Sequence, residues 1–465
     1  MTIYLPELQE HTGPKYRAIA DAIGQDIASG RLPPRSRLPA QRDLAWRLGV
    51  TVGTISRAYA EAARRGLLEG TVGRGTFVRA AAATPAERLT PGTGGLVELT
   101  QNAPPQGPHA GALSATLHDI AAGRDGPDLL GYMPEVGPPR HRQAGAEWLR
   151  RIGLQADPEG MMLCGGAQQG LSLALSAFSG PGDGILLEDL SYPQLIDAVH
   201  FAGRRPLSVA MDDQGIRPEA LGAACRASGA RLLFVVPTLQ NPTNAVMSPA
   251  RRQAIVEVAR RHDLLIVEDD VYGFLIEDRP PPIASLAPER TIYLASVSKC
   301  LAPGLRVAWL AAPEAQLGRL ADAMRILQVA LPALMGEIVG RWIEDGTAEQ
   351  LLDWQRAEIA ARHAIAREAF EGLEMRDHPA SLHLLLSLPK PWTGDDFTAA
   401  ARQRGIIILP LAPFLATADD DGAKSHGEAV RLSLGQAVSR AALAEALASL
   451  REILRRGPSR PRAII

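Results

Sequence analysis

The sequence predicts an α/β protein in three parts: a small helical unit carrying a hairpin, a large lobe on a mostly parallel sheet, and a smaller α+β lobe. Three observations carry this. The first eighty residues hold three amphipathic segments and a glycine-punctuated hairpin, the middle alternates short apolar runs with helical stretches, and the end returns to strand-like runs. At 465 residues and 46% apolar composition the chain is too long for one ordinary core and can bury several.

In the front unit Ile19, Ile23 and Ile27 recur four apart and predict a helix over residues 16–30, with Gly30 at its end. A second short helix follows the Pro33-Pro34 break, with Leu44, Ala45 and Leu48 on one face and Gly49 making the turn. Thr51 can then cap a third helix by accepting backbone N–H bonds, and Ile55, Ala58, Tyr59 and Ala62 form its inner face. Two strands, residues 67–70 and 75–79, flank a glycine-rich tip bearing Arg74, so the unit reads as a winged helix-turn-helix.

Residues 1–80 carry 12 Lys and Arg against 7 Asp and Glu, leaving 37 against 44 beyond, although the whole chain is nearly neutral. A basic front suits an anionic partner held at one end. The third helix would present Thr51, Gly53, Thr54 and Ser56 to bases in a major groove and Arg57 to a phosphate. Arg42 would contact backbone or base, and Arg74 on the wing would reach the minor groove or its phosphates. The segment over residues 14–79 resembles the GntR family of bacterial repressors, which implies operator DNA as a partner. Many GntR-type helices carry arginine where Val52 stands here, so the usual base contact is altered.

Residues 80–96 have the composition of a linker between domains at 1–79 and 97–465, with Ala80-Ala81-Ala82-Ala83, Pro85, Pro91-Gly92 and Gly94-Gly95. In the large lobe, strands are expected at residues 161–163, 185–188, 232–236, 264–268 and 292–294, and in the small lobe at 382–388, 406–409 and 430–434. Cys164, Cys225 and Cys300 show neither metal-ligand spacing nor the even count of a secreted disulfide scaffold, and no metal is expected. No stretch approaches the roughly 18 apolar residues of a membrane span, and no basic patch precedes an apolar run at the N-terminus. A cytoplasmic protein with no membrane partner is expected.

The chemistry-bearing residues follow the strands directly, where open α/β sheets bind ligands. Gly165-Gly166-Ala167-Gln168 precedes an apolar helix whose N-terminus suits a phosphate. Tyr192 can stack on an aromatic ring, and Asn241 offers an amide to a phenolic oxygen. Glu268-Asp269-Asp270 is costly at the end of an apolar strand without a cation, and a protonated pyridine nitrogen would satisfy it. Tyr272 can reach the oxygen beside an aldehyde, while Ser296, Ser298 and Arg306 can hold phosphate oxygens. Lys299 supplies an amine whose pKa cationic surroundings would lower. Together these point to pyridoxal 5'-phosphate.

From about Val97 onward the chain resembles fold type I, aspartate-aminotransferase-like enzymes of the aminoadipate and kynurenine aminotransferase subgroup. The resemblance implies that Lys299 joins the aldehyde, Asp269 pairs the pyridine nitrogen, Asn241 and Tyr272 bond the phenolic oxygen, and Tyr192 stacks on the ring. It also implies that Ala167, Gln168, Ser296, Ser298 and Arg306 hold the phosphate, that Tyr132 reaches the neighbouring subunit's phosphate, and that Arg431 grips a ligand carboxylate. Three departures stand out: Asn244 and Ala308 where glycine is usual, and Asn102-Ala103-Pro104-Pro105 in place of a glycine-rich loop. The last bears on which effector fits.

A GntR-like winged helix joined to an aminotransferase-like domain is the layout of the MocR subfamily. That resemblance implies a transcriptional regulator sensing an amino compound or the cofactor, as a head-to-tail homodimer. The alternative is a catalytically active aminotransferase with an appended DNA-binding domain; every residue needed for transfer is present, so residual turnover stays open.

Overall fold

In the computed structural model the chain divides into two compact units, residues 1–93 and 94–465. The structure describes residue 5 and residues 14–28, 31–32, 36–64, 67–71, 75–78, 96–123, 128–327, 330–417 and 426–458.

The first unit has helices Lys15–Ala28, Gln41–Leu48 and Val52–Arg64 and an antiparallel pair, Leu68–Thr71 with Gly75–Val78. Its core is the apolar set anticipated from spacing: Ile19, Ile23, Leu44, Ala45, Ile55, Ala58, Tyr59 and Ala62 are all buried. Gly49 ends the second helix at φ 60°, the left-handed region that glycine enters without a Cβ clash. Tyr59 is buried and its hydroxyl donates to the Pro39 carbonyl at 2.9 Å, so the third helix is tied to the approach of the second. The expected helix end at Gly30 and the wing tip with Arg74 lie outside the described residues.

The second unit is built on a seven-stranded sheet ordered Met161–Cys164, Ala308–Ala311, Thr291–Ser296, Leu265–Asp269, Leu232–Val235, Gly184–Glu188 and Arg205–Val209. The last five run parallel, and Ala308–Ala311 is antiparallel to both neighbours. Central strands such as Thr291–Ser296 are buried throughout because helices cover both faces, which is why they read as unbroken apolar runs. The parallel strands share one direction, so their carboxyl ends, and the loops after them, open along one edge.

The helix Thr347–Ala369 leads to the smaller lobe, an antiparallel sheet ordered Met375–Arg376, His383–Ser387, Ala429–Ser433 and Leu409–Pro410. The apolar run at 406–409, expected as one strand, is split. Ile406–Ile407 pairs in parallel with Val97–Glu98, and only Leu409–Pro410 joins the small sheet. The tail expected from Arg455 begins inside the helix Arg440–Arg456. Strands Arg205–Val209 and Ala308–Ala311 were not anticipated.

Helix Pro139–Arg150 packs without clearance on the sheet: a Cβ added at Gly145 would lie 2.3 Å from the indole nitrogen of Trp309, which donates to the His141 carbonyl at 3.1 Å. Gly145→Ala is therefore expected to destabilise the large lobe by about 1–3 kcal/mol through overpacking, read as a lower midpoint in urea unfolding.

Candidate cofactor site and nucleic-acid interface

Three consecutive carboxylates end the buried strand Leu265–Asp269 and its exit, and their surroundings differ. Glu268 accepts from the backbone N–H groups of Ile283 at 2.9 Å and Ala284 at 2.8 Å, with Arg252 at 3.8 Å. Asp270 is held by Arg279 in a buried ion pair and by the Tyr293 hydroxyl at 2.5 Å. Asp269 is buried; the Tyr192 hydroxyl donates to Oδ2 at 2.8 Å and the Val271 N–H and Lys299 also favour its charge, but its Oδ1 has no hydrogen-bond partner and the carboxylate no ion pair among the described residues. Burial pushes the Asp269 pKa up from 3.8 to about 6, opposed by Tyr192 and reinforced by Asp270. A buried acceptor left bare beside a carboxylate with no cation of its own is the local signature of a cationic group from a ligand.

Lys299 sits half-buried in the turn after the next strand, with Nζ donating to the main-chain oxygen of Asn102. Its pKa falls from 10.5 to about 8. Burial is the main cause, Arg431 and Arg306 add to it, and Asp269 opposes it. The expectation that cationic surroundings do this is corrected to burial first and charge second.

Gly166, at φ 89°, precedes the helix Ala167–Phe178, so Ala167 and Gln168 occupy its first turn. Arg306 donates to the Gly165 carbonyl at 3.0 Å, and a Cβ on Gly166 would lie 2.3 Å from its guanidinium. Ser296 and Ser298 are buried with their hydroxyls 3.1 Å apart, and Ser296 also donates to the Val307 carbonyl. The helix start and the Arg306 guanidinium meet at Gly166 with no room for a side chain, and Ser296 and Ser298 stand at the end of the strand Thr291–Ser296; a helix N-terminus, two hydroxyls and a guanidinium are groups that suit a phosphate. Gln168 is exposed and donates to the Gln194 carbonyl at 3.3 Å.

Arg431 is buried on the small-lobe strand Ala429–Ser433, with one nitrogen 3.4 Å from Asn241 Oδ1, another on the Thr100 carbonyl, and Nε without a hydrogen-bond partner among the described residues. Burial lowers its pKa from 12.5 to about 10. Tyr272 is buried nearby, and burial raises its hydroxyl from 10.0 to about 12. Tyr132 is 95% exposed and stands apart from this buried cluster. Asn244 adopts φ 62°, which asparagine tolerates, and its amide donates to the carbonyls of Arg376 and His383, so its departure from glycine serves packing.

Asn102, anticipated only within the segment that replaces a glycine-rich loop, and His383, not anticipated, are both buried at this site. Asn102 Nδ2 donates to the Tyr272 hydroxyl at 2.8 Å and lies 2.9 Å from His383 Nδ1. A histidine inside an apolar strand is a sequence signal for a special role, though its partner, 281 residues away, is not readable from the chain.

In the first unit, the Thr51 hydroxyl accepts from the Thr54 N–H at 3.2 Å and so caps the third helix as expected. Thr51, Gly53, Ser56 and Arg57 are exposed, Thr54 is half-buried, and Arg42 is exposed on the second helix.

Fold and site together define a two-part protein: a winged helix-turn-helix unit followed by a fold type I unit with a lysine, an unpaired carboxylate and an anion cradle. The chain belongs to the aminotransferase class I and II family, whose model matches residues 95–450, and residues 15–78 match the model for bacterial regulatory proteins of the gntR family. It is similar to the HTH-type transcriptional regulator YdeF of Bacillus subtilis, 28% identical over 97% of this chain and 96% of that one. It is also similar to the HTH-type pyridoxine biosynthesis transcriptional regulator PdxR of Corynebacterium glutamicum, 29% identical over 87% and 90%. Among solved structures it is similar to LysN, the α-aminoadipate aminotransferase of Thermus thermophilus complexed with N-(5'-phosphopyridoxyl)-L-leucine, with TM-score 0.69 and 28% identity over 78% and 92%. This pairing of domains is that of the MocR subfamily.

A carboxyl whose folded pKa is raised binds more protons folded than unfolded, so its contribution is present below about 4 and is lost as pH rises through about 6. In cofactor-free protein at pH 7.5, Asp269→Asn is therefore expected to gain about 1–3 kcal/mol of stability over the unsubstituted chain, while its affinity for pyridoxal phosphate falls. Urea unfolding at pH 4 and 7.5 checks the first, and a pyridoxal phosphate titration the second.

Proposed function

We propose that this chain is a pyridoxal-phosphate-dependent transcriptional regulator, in which residues 1–79 bind operator DNA, 80–96 connect, and 97–465 sense an amino compound. The observation that carries the reading is the bare Oδ1 of Asp269 at the same sheet edge as the buried amine of Lys299, in a chain whose third helix is capped and exposed. The residues fit the cofactor: the bare carboxylate oxygen matches a pyridinium, and the cradle closed by Gly166 and Arg306 matches a phosphate. When bound, pyridoxal phosphate supplies an aldehyde that joins amines covalently and a ring that accepts electron density.

The chain's own residues then divide the work. Asp269 would hold a proton on the pyridine nitrogen, and Tyr192, bonded to Asp269, would orient that carboxylate and stack on the ring. The first turn of the helix at Ala167 and Gln168, with Ser296, Ser298 and Arg306, holds the phosphate; Tyr132 of a partner copy would complete it in a head-to-tail dimer. Asn241 and Tyr272 face the phenolic oxygen. Lys299, its pKa brought down to about 8, offers a sizeable neutral fraction near pH 7. Arg431 takes a ligand carboxylate by two parallel bonds once it leaves the Thr100 carbonyl. Thr51, Gly53, Thr54, Ser56, Arg57 and Arg42 would meet the DNA, with Arg74 as the wing contact expected from sequence; binding to chromosomal operator DNA fits a cytoplasmic protein.

A ligand changes DNA affinity only by binding two forms of the sensor unequally, and a coupling of about 1–3 kcal/mol gives a several-fold to hundredfold response. Lys299→Ala is expected to abolish the visible absorption of the cofactor-loaded protein and the effect of amines on operator retardation, with folding retained. A variant that kept both would refute the reading. Turnover of amino donors with a keto acid at rates of ordinary transaminases would favour the enzymatic alternative instead. Arg42→Ala is expected to weaken operator binding and lower the slope of log K against log salt by about one; an unchanged slope would remove Arg42 from the interface.

A further inference from the structure

We propose that Asn102, oriented by His383, is a positioning residue for Tyr272: it donates to the tyrosine oxygen and so leaves the hydroxyl proton of Tyr272 free for the phenolic oxygen of the cofactor. The inference rests on the pyridoxal phosphate reading above and deepens it.

The network is best satisfied with the NH₂ of Asn102 toward both His383 and Tyr272: this leaves one amide oxygen without a partner, whereas the amide turned the other way would strand two buried hydrogens. Nδ1 of His383 already faces Asn102 and Ser381, so Nε2, which makes no full hydrogen bond among the described residues, is the nitrogen left toward the Gln240 main-chain oxygen that favours a ring proton, and the proton belongs on Nε2. Nδ1 is then an acceptor. It lies 3.3 Å from the Ser381 hydroxyl, whose oxygen already accepts from the His383 N–H, and 2.9 Å from Asn102 Nδ2. An acceptor at Nδ1 turns the NH₂ side of Asn102 toward it, and the second hydrogen of that NH₂ is the one given to Tyr272 at 2.8 Å. A tyrosine oxygen that accepts from an amide keeps its own proton to donate elsewhere.

His383 is held neutral, its pKa far below the usual value because of burial, with the charge of Arg431 next and His363 and Lys299 adding; a protonated Nδ1 would instead push the Asn102 amide away. The charged and titratable groups facing Tyr272 are Arg431, Asp269, Tyr192 and the neutral His383, and Asn241 also bonds its hydroxyl. The main-chain oxygen of Asn102 meanwhile accepts from Lys299. One residue thus touches both the amine and the hydroxyl of the site, and its segment lies where a glycine-rich loop is usual.

The test is the pH midpoint at which the visible spectrum of the cofactor-loaded protein changes, since a proton donated to the phenolic oxygen favours the deprotonated form and lowers that midpoint. Asn102→Ala is expected to raise it by roughly half to one pH unit, and Asn102→Asp, which cannot donate, by at least as much. His383→Ala is expected to move it in the same direction by less, His383→Gln to restore it through its amide oxygen, and the double alanine variant to match Asn102→Ala alone. Ultraviolet titration of Tyr272 in cofactor-free protein, against Tyr272→Phe, is expected to show its ionisation displaced upward in Asn102→Ala. A coloured protein whose midpoint ignores both residues, an Asn102→Asp variant that behaves as the unsubstituted chain, or additive shifts would overturn the inference. A protein that takes up no cofactor would overturn the reading beneath it, a distinguishable result.

Discussion

The organisation of the second unit turns on one buried carboxylate that lacks a cation of its own. Burying a charge at the end of an apolar strand costs several kcal/mol unless something pays for it. Glu268 and Asp270, on either side, are compensated within the chain by backbone N–H groups, Arg252, Arg279 and Tyr293. Asp269 receives the Tyr192 hydroxyl and the Val271 N–H, with no ion pair among the described residues. The alternation of strand side chains makes this possible, because neighbours on one strand point to opposite faces and meet different surroundings. The compensation missing from the chain is the compensation a cationic ring nitrogen brings.

The same reasoning explains why so many reactive groups gather along one edge. Five parallel strands deliver their carboxyl ends together, so Tyr192, Asn241, Asp269 and Ser296 arrive from loops far apart in sequence. Lys299 follows in the turn after the strand ending at Ser296, and Arg306 comes next, at the end of the short 3-10 helix Pro303–Leu305. Arg431 comes from the small-lobe sheet and is bonded to Asn241, so the pocket spans two lobes of one unit and a ligand held by Arg431 contacts both. That is the geometry in which ligand binding can favour one relative position of the lobes over another.

The first unit obeys a different economy. Its core is small, and its stability rests on a few shared residues: Gly49 reverses the chain, Thr51 caps the third helix, and Tyr59 ties that helix to Pro39. With those inner positions occupied, the start of the third helix and Arg42 are left to solvent. An exposed, capped helix start with threonines, a serine and an arginine is the surface a major groove requires.

Local signals determined much of this protein. Helical spacing marked the winged unit and its core, apolar runs marked the central strands, and the short motifs around Gly166, Asn241, Asp269 and Lys299 sat at the strand ends where chemistry was expected. Edge and short strands escaped notice because Arg205–Val209 is only partly buried and Ala308–Ala311 is too brief to show a period. The split of residues 406–409 was decided by pairing with Val97–Glu98, which no local pattern reveals. Only the tertiary structure showed that Asp269, among the three acids, has no arginine beside it in the described residues, that burial rather than charge leads the fall in the Lys299 pKa, and that Asn102 and His383 meet beside Tyr272. Each depends on which groups the fold brings within a few ångströms, and sequence distance carries no record of that.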